Sequence, residues 1–282
     1  MLSSTLTPAQ NAAFEEAIRT FHEGTSRDPF LDIFPTRYHF PPNRLTSPLT
    51  KDETDLIDAY VFRGTEGNWY DGTSPYKTSN FIGGSWCKAR DNGYQKIQAR
   101  FDRNKTIFFL PASGEKDAEA AITYAYDYWR DMKWQESTIL YRQHVVRRFV
   151  MLLEHFREKI MFEIRQQIPK TYLECTKDYG EALHAAAHLA GEAQRALEGR
   201  MRPYDLVPSH TYWDAYLPAG PATILTPMNF IWGIPVIQLV AAYLAGVPII
   251  FKGHPFAAIT NEHIVRCLIA AGADPMSIQM VQ

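Results

Sequence analysis

The polar side chain with the clearest capacity for chemistry is the carboxamide of Asn229. It lies in ILTPMNFIWGIP, residues 224–235, between a β-rich apolar run and a second apolar run that begins a helix. A carboxamide fixed at the end of a strand can donate a hydrogen bond to an oxygen that gains negative charge, without losing a proton of its own. The same side chain can instead cap the helix that starts near Ile231.

The three cysteines, Cys87, Cys175 and Cys267, offer no pattern for covalent or metal chemistry. Their number is odd, their spacing is wide and no CxxC occurs, which argues against a disulfide framework or a zinc site and favours a reducing compartment. Cys267 shares a helix face with apolar residues and is predicted to pack in the core. Covalent catalysis needs a nucleophile with a base in hydrogen-bond reach, and the sequence suggests no such pair.

Two histidines, His184 and His188, stand four positions apart in HAAAH and could share a metal ion on one helix face. The glutamate of an HExxH motif is missing and no third ligand is evident, so we predict surface or packing histidines and no metal site. The sequence also contains no P-loop, GxSxG or GxGxxG pattern.

Alternating short strands and helices would position Asn229 and Lys252. The patterns predict strand 221–226, helix 231–245, strand 247–252, helix 260–271 and strand 277–282. The first two strands, which contain PATIL and VPIIF, are continuous apolar runs, as expected for parallel strands covered on both faces. Residues 215–251 carry no charge, but Gly233, Pro235 and Gly246 divide this stretch, and we therefore predict no membrane span.

Further elements are predicted between residues 80 and 197. NFIGGSW and NKTIFFLP are strand-like, the first with the form of a β-hairpin. A helix follows over residues 113–132, capped by Ser113 or Asp117. The residues of its predicted buried face are Ala118, Ala121, Ile122, Ala125 and Trp129.

Two longer helices come next. The first starts with Ser137 as its predicted cap and ends before Pro169, and the second runs from about residue 171 to 197. Arg142, Arg147 and Arg148 on the first helix are predicted to form a solvated or intersubunit face.

Composition and charge narrow the class of protein. The chain has 282 residues, 46% of them hydrophobic, and can bury a substantial core. Its net charge of −2 is too balanced to hold nucleic acid or an anionic membrane by electrostatics, so neither partner is predicted. The N-terminus lacks a signal-peptide core, while import with a presequence already removed stays open.

Residues 1–79 are predicted to form an N-terminal extension to a domain of residues 80–282. A short helix is expected over residues 7–22. The prolines and aromatic residues of 28–50 favour an extended segment that lies along another surface, on this chain or on a partner.

The order of these motifs resembles the first half of the aldehyde dehydrogenase superfamily. FIGGSW, GEKDAEAAITYAYDYW, a long arginine-bearing helix and LPAGPATILTPMNFIWGIP follow one another within residues 80–282. The most specific matches are Pro227, Asn229, Phe230, Pro235, Gly246 and Lys252. The Pro-Met-Asn-Phe sequence and the long extension also resemble the pyrroline-5-carboxylate dehydrogenase branch.

The resemblance implies an α/β fold with a partial, three-stranded Rossmann-like doubly wound parallel sheet, long helices and a β-hairpin, preceded by an irregular Pro- and aromatic-rich extension. It implies that Asn229 donates its amide to the oxyanion of a thiohemiacetal intermediate. Lys252 would reach the ribose or the 2′-phosphate of NAD(P). Thr226, Pro227 and Met228 would line the path of the cofactor.

Several positions depart from the family pattern. Pro255 stands where family members carry an acidic residue for the ribose hydroxyls, three residues after Lys252, and Gln238 replaces the usual helix lysine. The family's nucleophilic cysteine and general-base glutamate belong to the half that would follow residue 282. We therefore predict that the chain as it stands is no enzyme, that Asn229 and the cofactor-lining residues are vestigial, and that no cofactor is bound.

The first strand of such a sheet, residues 221–226, would have an open edge. We predict that other protein subunits cover it, and that the chain is a non-catalytic subunit with a structural or assembly role. Accessory subunits of mitochondrial complexes such as ATP synthase resemble metabolic enzymes in this way, which suggests a mitochondrial location by analogy, and otherwise a soluble intracellular one. Two alternatives stay open: an N-terminal fragment of an active NAD(P)-dependent aldehyde dehydrogenase, and a nucleotide-sensing module that uses Lys252.

Overall fold

A computed structural model of the chain describes residues 49–63, 75–90, 93–99, 102, 104–202 and 212–282. The helix expected over residues 7–22 and nearly all of the segment 28–50 lie outside these ranges. The described helices are α1 (Lys51–Phe62), α2 (Glu115–Arg130), α3 (Ile139–His155), α4 (Arg157–Gln167), α5 (Tyr172–Leu197), α6 (Gly233–Leu244) and α7 (Ala258–Ala270). The described strands are β1 (Tyr76–Lys77), β2 (Asn80–Ile82), β3 (Ser85–Cys87), β4 (Tyr94–Gln98), β5 (Thr106–Pro111), β6 (Arg200–Arg202), β7 (Tyr212–Asp214), β8 (Ala222–Leu225), β9 (Ile249–Lys252) and β10 (Ile278–Met280).

The largest described sheet has the strand order β3-β2-β10-β9-β8. Strands β8, β9 and β10 are parallel, as the sequence predicts, and are joined through α6 and α7. The predicted β-hairpin, β2–β3, adds two antiparallel strands to the same sheet through the pairing of Met280 with Phe81. The α/β fold with a Rossmann-like parallel sheet is therefore confirmed, and the hairpin extends the sheet from three strands to five.

The described residues also form two smaller sheets. One has the order β1-β5-β4, and its apolar residues pack against Ala258 and Ile259 at the start of α7. The other is the antiparallel pair β6–β7. Helix α7 is buried along its whole length, mostly in the main core, although it carries Glu262, His263 and Arg266.

Helix α2 begins and packs differently from the sequence prediction. Its N-cap is Gly114, whereas the predicted cap Asp117 is the third helical residue and accepts hydrogen bonds from the backbone of Gly114 and Arg90. The buried residues are Asp117, Ala121, Ala125 and Tyr128. The predicted face was wrong at Ala118 and Ile122, which are both exposed, because the packed side of the helix is centred on Ala121 and Ala125.

The long helix predicted before Pro169 is divided at Phe156 into α3 and α4, and Thr138, not Ser137, is its N-cap. Phe156 is buried and packs edge to face on Phe62 of α1 at 5.0 Å between ring centroids. The break occurs without a proline or glycine, and the backbone of Phe156 leaves the helical region there, with φ at −92° and ψ at 11°.

The predicted arginine face is also corrected by the structure. Arg147 is exposed, but Arg142 and Arg148 are buried. Arg142 donates from Nε to the Leu244 carbonyl at the end of α6, at 2.8 Å, and from Nη1 to the Ser137 carbonyl. A buried guanidinium is tolerated here because carbonyl oxygens accept its hydrogen bonds.

Helix α1 lies within the segment predicted as an extension, yet it contributes to the main hydrophobic core. Its apolar residues in that core include Ile57, Tyr60 and Phe62. Ion pairs join Asp58 to Lys159 of α4, and Glu53 to Arg148 of α3 at 3.5 Å.

Gly246 ends helix α6 in a left-handed conformation, with φ at 74°. Its N–H donates to the Tyr243 carbonyl and that of Val247 donates to the Ala242 carbonyl, both at 3.0 Å, which is a Schellman arrangement. A Cβ atom at this position would lie 3.2 Å from Cζ of Arg142. Both the backbone angle and the space therefore require glycine.

We expect Gly246→Ala to lower the free energy of unfolding by about 1–3 kcal/mol, because alanine is strained in the left-handed region. Gly180→Ala is the matched control, since Gly180 lies inside α5 and a Cβ there meets no atom within 4 Å. That change should stabilise the protein by about 0.5–1 kcal/mol through helix propensity. Urea denaturation of both variants gives the comparison, and equal effects would contradict the assigned role of Gly246.

In the described ranges, no helix is both long enough and apolar enough to cross a lipid bilayer.

Candidate functional site

The carboxyl ends of β8 and β9 lie next to each other and place the candidate residues at one edge of the sheet. Leu225 pairs with Lys252 in the parallel register, so residues 226–229 and 252–254 leave the sheet side by side. In open α/β sheets this edge is where ligands bind. The structure therefore brings Thr226, Asn229 and Lys252 to the same region of the molecule.

The turn after β8, residues 226–229, carries one exposed and one buried polar side chain. Asn229 is exposed, while Thr226 is buried and its hydroxyl has no hydrogen-bond partner among the described residues. Pro227 is exposed, and Met228 is half-buried against the main core. The carboxamide of Asn229 is thus available to a ligand at the end of the strand, whereas Met228 holds the turn to the protein.

Lys252 ends β9 as a half-buried lysine. Its Nζ lies 3.5 Å from the Gly253 carbonyl, and among the described residues no carboxylate pairs with it. Burial lowers the pKa of Lys252 below the ordinary value of 10.5. A half-buried ammonium without a paired carboxylate is a position that favours an anionic or hydroxyl-rich ligand.

The residues after Lys252 are arranged by contacts within the protein. A Cβ atom on Gly253 would overlap the Asn261 side chain at 2.2 Å, so that amide occupies the space beside the strand end. His254 accepts a hydrogen bond from the Phe256 backbone through Nδ1, at 3.2 Å. Pro255 opens a short 3-10 helix, and its side chain offers no acceptor for a hydroxyl group.

The start of α6 is held by a residue that sequence reasoning missed, Asp178 on α5. Its carboxylate accepts hydrogen bonds from the backbone N–H groups of Ile231, Trp232 and Gly233, at 3.0, 3.1 and 2.7 Å. Lys170 donates to the same carboxylate at 2.8 Å. The capping interpretation of Asn229 was therefore wrong, because a distant carboxylate takes that place. The available signal was an aspartate on the alanine-rich face of α5.

None of the cysteines has the environment of a nucleophile. Burial raises the pKa of Cys87 to about 11, and the negative charge of Asp117 adds to this effect. Burial also raises the pKa of Cys175, and that of Cys267 well above its usual range. Cys267 lies in the main core, which confirms the packing prediction.

We expect all three thiols to react slowly with alkylating reagents in the folded protein. With a pKa near 11, Cys87 is thiolate to about one part in a thousand at pH 8, and the thiolate is the reactive form. Titration with a thiol reagent should show rapid labelling only after denaturation. A fast-reacting native thiol near neutral pH would contradict this expectation, and mass mapping would identify it.

His184 and His188 are both exposed on α5. The part of the chain that the structure describes contains no group of three histidine, cysteine or carboxylate side chains arranged to hold a metal ion.

The fold belongs to the doubly wound α/β class, with a parallel sheet and polar residues at the carboxyl ends of its first two strands. The family model described as "Aldehyde dehydrogenase family" matches residues 86–282, well over half of the sequence. The chain belongs to the aldehyde dehydrogenase family, and the family resemblance of the sequence is confirmed. The finer placement in the pyrroline-5-carboxylate branch stays a prediction.

Two curated relatives are semialdehyde dehydrogenases. The chain is 25% identical over 207 residues to alpha-ketoglutaric semialdehyde dehydrogenase of Bacillus subtilis, covering 72% of this chain and 41% of that protein. It is 26% identical to N-succinylglutamate 5-semialdehyde dehydrogenase of Chromohalobacter salexigens, covering 73% and 41%. The chain therefore spans about two fifths of the length of these relatives.

Solved structures show the same fold. NADP-dependent glyceraldehyde-3-phosphate dehydrogenase from Bacillus halodurans, complexed with NADP, is similar with a TM-score of 0.66 at 21% identity, over 73% of this chain and 44% of that one. Betaine aldehyde dehydrogenase from Staphylococcus aureus, in complex with NAD+, is similar with a TM-score of 0.67 at 20% identity, over 72% and 40%.

Proposed function

We propose that the chain forms the cofactor-binding half of an NAD(P)-dependent aldehyde dehydrogenase. The observation that carries this proposal is the setting of Lys252, a half-buried ammonium at the carboxyl edge of the parallel sheet that no carboxylate pairs with in the part of the chain that the structure describes. Family membership and relatives that bind NADP or NAD+ support it. In this proposal the nucleophile and the general base come from residues beyond these 282, in the same polypeptide or in another.

Each candidate residue has a defined part in this function. Lys252 would bind the ribose or the 2′-phosphate of the cofactor. Thr226, Pro227 and Met228 would line its path, and the buried hydroxyl of Thr226 has hydrogen-bonding capacity that the described chain leaves unused. Asn229, exposed at the end of β8, would donate its amide to the oxygen of the aldehyde as negative charge develops there.

Titration of the 282-residue protein with NADP and with NAD tests this function. We expect Lys252→Ala to weaken the affinity by about tenfold or more, because a charge-assisted contact is lost. Lys96→Ala is the matched control, since Lys96 is an exposed lysine on β4, and it should bind like the parent protein.

The affinity should also fall as the pH rises, because binding needs the protonated ammonium. The pKa of Lys252 is already lower than 10.5, so the fall should occur over a pH range below that value. Lys252→Arg should bind across the same range without this fall, since a guanidinium stays charged. A pH-independent affinity in the parent protein would contradict the assigned role of Lys252.

A non-catalytic subunit of a larger assembly, with a mitochondrial location by analogy with accessory subunits there, is the second candidate. Two observations favour it: Pro255 supplies no acceptor for ribose hydroxyls, and the edge strand β8 presents Leu225 at 68% exposure. In this case other protein subunits cover β8. Failure of both NAD and NADP to bind, with Lys252→Ala indistinguishable from the parent, would favour this second function over the first.

A further inference from the structure

A buried carboxamide on α7, that of Asn261, lies against the loop that follows β9. Asn261 is fully buried, and a Cβ atom on Gly253 would lie 2.2 Å from its Oδ1 atom. The amide therefore fills the space that a side chain at position 253 would need. Its Nδ2 donates to the His254 carbonyl at 3.3 Å. The same carbonyl accepts from the Ala257 backbone at 2.9 Å, so two groups hold this peptide in place.

A second buried amide, that of Gln282, connects Asn261 to the end of the next parallel strand, β10. Its Oε1 accepts a hydrogen bond from Nδ2 of Asn261 at 3.3 Å, and its Nε2 donates to the Ala258 carbonyl at 2.8 Å. The backbone N–H of Gln282 donates to Oδ1 of Asn80 on β2, also at 2.8 Å. The carboxyl ends of β9 and β10 are thereby joined through side-chain amides.

The loop that Asn261 contacts begins with Lys252. Nζ of Lys252 lies 3.5 Å from the Gly253 carbonyl oxygen. This oxygen belongs to the peptide group that joins Gly253 to His254, the residue whose own carbonyl accepts from Asn261. The position of the ammonium therefore depends on the two residues that the buried amide holds.

Stability alone does not account for an amide at this place. Oδ1 of Asn261 accepts no hydrogen bond from the residues that the structure describes, and burial of an unsatisfied oxygen is unfavourable. Both bonds that Nδ2 donates, to His254 and to Gln282, are long at 3.3 Å. Asn261 thus contributes little to the stability of the fold, and its main effect is on the conformation of the loop after β9.

We propose that Asn261 is a positioning residue for the cofactor. It fixes residues 252–254 in the conformation in which the Lys252 ammonium meets the ribose or the 2′-phosphate of NAD(P), and Gln282 couples this conformation to the end of β10. The inference rests on the proposed function, because Lys252 is the residue that contacts the cofactor there. Asn261 is fully buried and acts through the peptide groups of Gly253 and His254.

Titration of the 282-residue protein with NADP tests this role. Asn261→Ala should weaken the affinity by about fivefold or more, because a displaced ammonium makes a poorer contact. In the Lys252→Ala protein the same change should have no further effect, since Asn261 acts through Lys252. An Asn261→Ala protein that binds like the parent would overturn the proposal, and so would a loss that adds fully to that of Lys252→Ala.

Gln143→Ala is the matched control for loss of a buried amide. Gln143 on α3 is also buried, its Nε2 donates to the Ala190 carbonyl at 2.8 Å, and its Oε1 has no partner among the described residues. Since it packs on α5 and touches neither strand end, Gln143→Ala should leave the affinity for NADP unchanged. An equal loss in both variants would show a general effect of core amides and would contradict the specific role of Asn261.

Variants at Gly253 separate the space that Asn261 fills from its hydrogen bonds. Gly253→Ala brings a Cβ atom into the Asn261 amide and should weaken NADP binding at least as much as Asn261→Ala does. The protein with both changes has no overlap and should bind no more weakly than Asn261→Ala alone. Additive losses in the double variant would show that the contact between these two residues does not set the loop.

Hydrogen exchange of the cofactor-free protein distinguishes failure of this inference from failure of the proposed function. The N–H groups of Phe256 and Ala257 both donate to His254, so they should be protected in the parent protein. In Asn261→Ala they should exchange about tenfold faster or more, while amides in the middle of α6 keep their rates. NADP binding by the parent, with unchanged exchange in Asn261→Ala, would overturn this inference alone. Absence of NADP binding, with faster exchange, would overturn the proposed function and leave Asn261 as the residue that orders the loop.

Discussion

Replacing Arg266 with alanine is expected to lower the free energy of unfolding by about 3–5 kcal/mol, because one partner of a buried ion pair is removed. Arg266 is fully buried on α7. Its Nε donates to Glu262 at 2.8 Å, and its Nη1 donates to the Tyr60 carbonyl of α1 at 3.0 Å. Its guanidinium also lies over the Trp86 ring, with Cζ 4.0 Å from the centroid.

The large effect follows from what Arg266→Ala leaves behind. Glu262 is completely buried and also accepts hydrogen bonds from the Tyr76 hydroxyl at 2.9 Å and the Ser79 backbone at 2.8 Å. Without the guanidinium, a carboxylate stays in the interior with neutral donors alone, which is unfavourable. The variant also loses a link between α1, the β2–β3 hairpin and α7.

Urea denaturation measures this effect, and two further variants define its cause. Arg195→Ala removes an exposed arginine that pairs with Glu192 on α5, and should change the stability by no more than about 0.5 kcal/mol. A protein with both Arg266→Met and Glu262→Gln should be more stable than one with Arg266→Met alone, because the uncompensated charge is gone. A loss below about 1 kcal/mol in Arg266→Ala would contradict this account of the buried pair.

The parallel sheet could be predicted from the sequence because its strands are marked by local composition. Residues 221–226 and 247–252 are short, largely apolar runs, residues 277–282 alternate polar and apolar side chains, and glycines and prolines separate these segments from the helices. The observed strands lie inside these ranges and are shorter by two or three residues. Gly246 also marks the end of helix α6 in the sequence, since a helix end in the left-handed conformation strongly favours glycine.

The burial of charged residues could not be predicted in the same way. Arg142 and Arg148 lie on a helix that also carries Arg147, Glu154 and Glu158, and so resemble residues of a solvated helix face. Arg266 stands between apolar residues, which do not show what its guanidinium will contact. Their acceptors are remote in the chain: Arg142 donates to Leu244 and Arg266 to Tyr60. Local periodicity reports how apolar a face is, and it contains no information on which distant carbonyl or carboxylate will meet a charge.

At the candidate site, too, the sequence could not show contacts with residues that are distant in the chain. The sequence placed Asn229 and Lys252 at the ends of neighbouring strands, and the register of β8 with β9 brings these ends together. It could not decide between the two interpretations of Asn229, because the competing cap, Asp178, lies on another helix. It also assigned Ile122 to the core, since the spacing of apolar residues does not show which of two adjacent apolar positions packs internally.

Asp178→Ala is expected to lower the free energy of unfolding by about 3–5 kcal/mol, as loss of a buried charged acceptor does. Asp178 is fully buried, and three backbone N–H groups at the start of α6 donate to it. Those donors have no intrahelical acceptor, so the substitution leaves them unsatisfied in the interior. It also leaves Lys170 without the carboxylate that it contacts at 2.8 Å.

Three comparisons separate the hydrogen bonds of Asp178 from its charge. Asp178→Asn keeps one oxygen acceptor and should cost less than Asp178→Ala. Lys170→Met should reduce the further loss caused by Asp178→Ala, because the ion pair is then already absent, and a double-mutant cycle measures this coupling. Glu192→Ala on the same helix removes a more exposed carboxylate and should change the stability little.

Amide hydrogen exchange reports directly on the backbone N–H groups that donate to Asp178. In the parent protein the N–H groups of Ile231, Trp232 and Gly233 should be protected, since each donates to a buried carboxylate. In Asp178→Ala these three should exchange much faster, while amides in the middle of α6 should be accelerated only as far as the lower free energy of global unfolding requires. Because residue 231 follows Asn229 closely, a loosened helix start would also release the turn that presents the carboxamide. Unchanged protection at all three positions would show that the helix start is held by packing of Trp232 and its neighbours, and that Asp178 does not position Asn229.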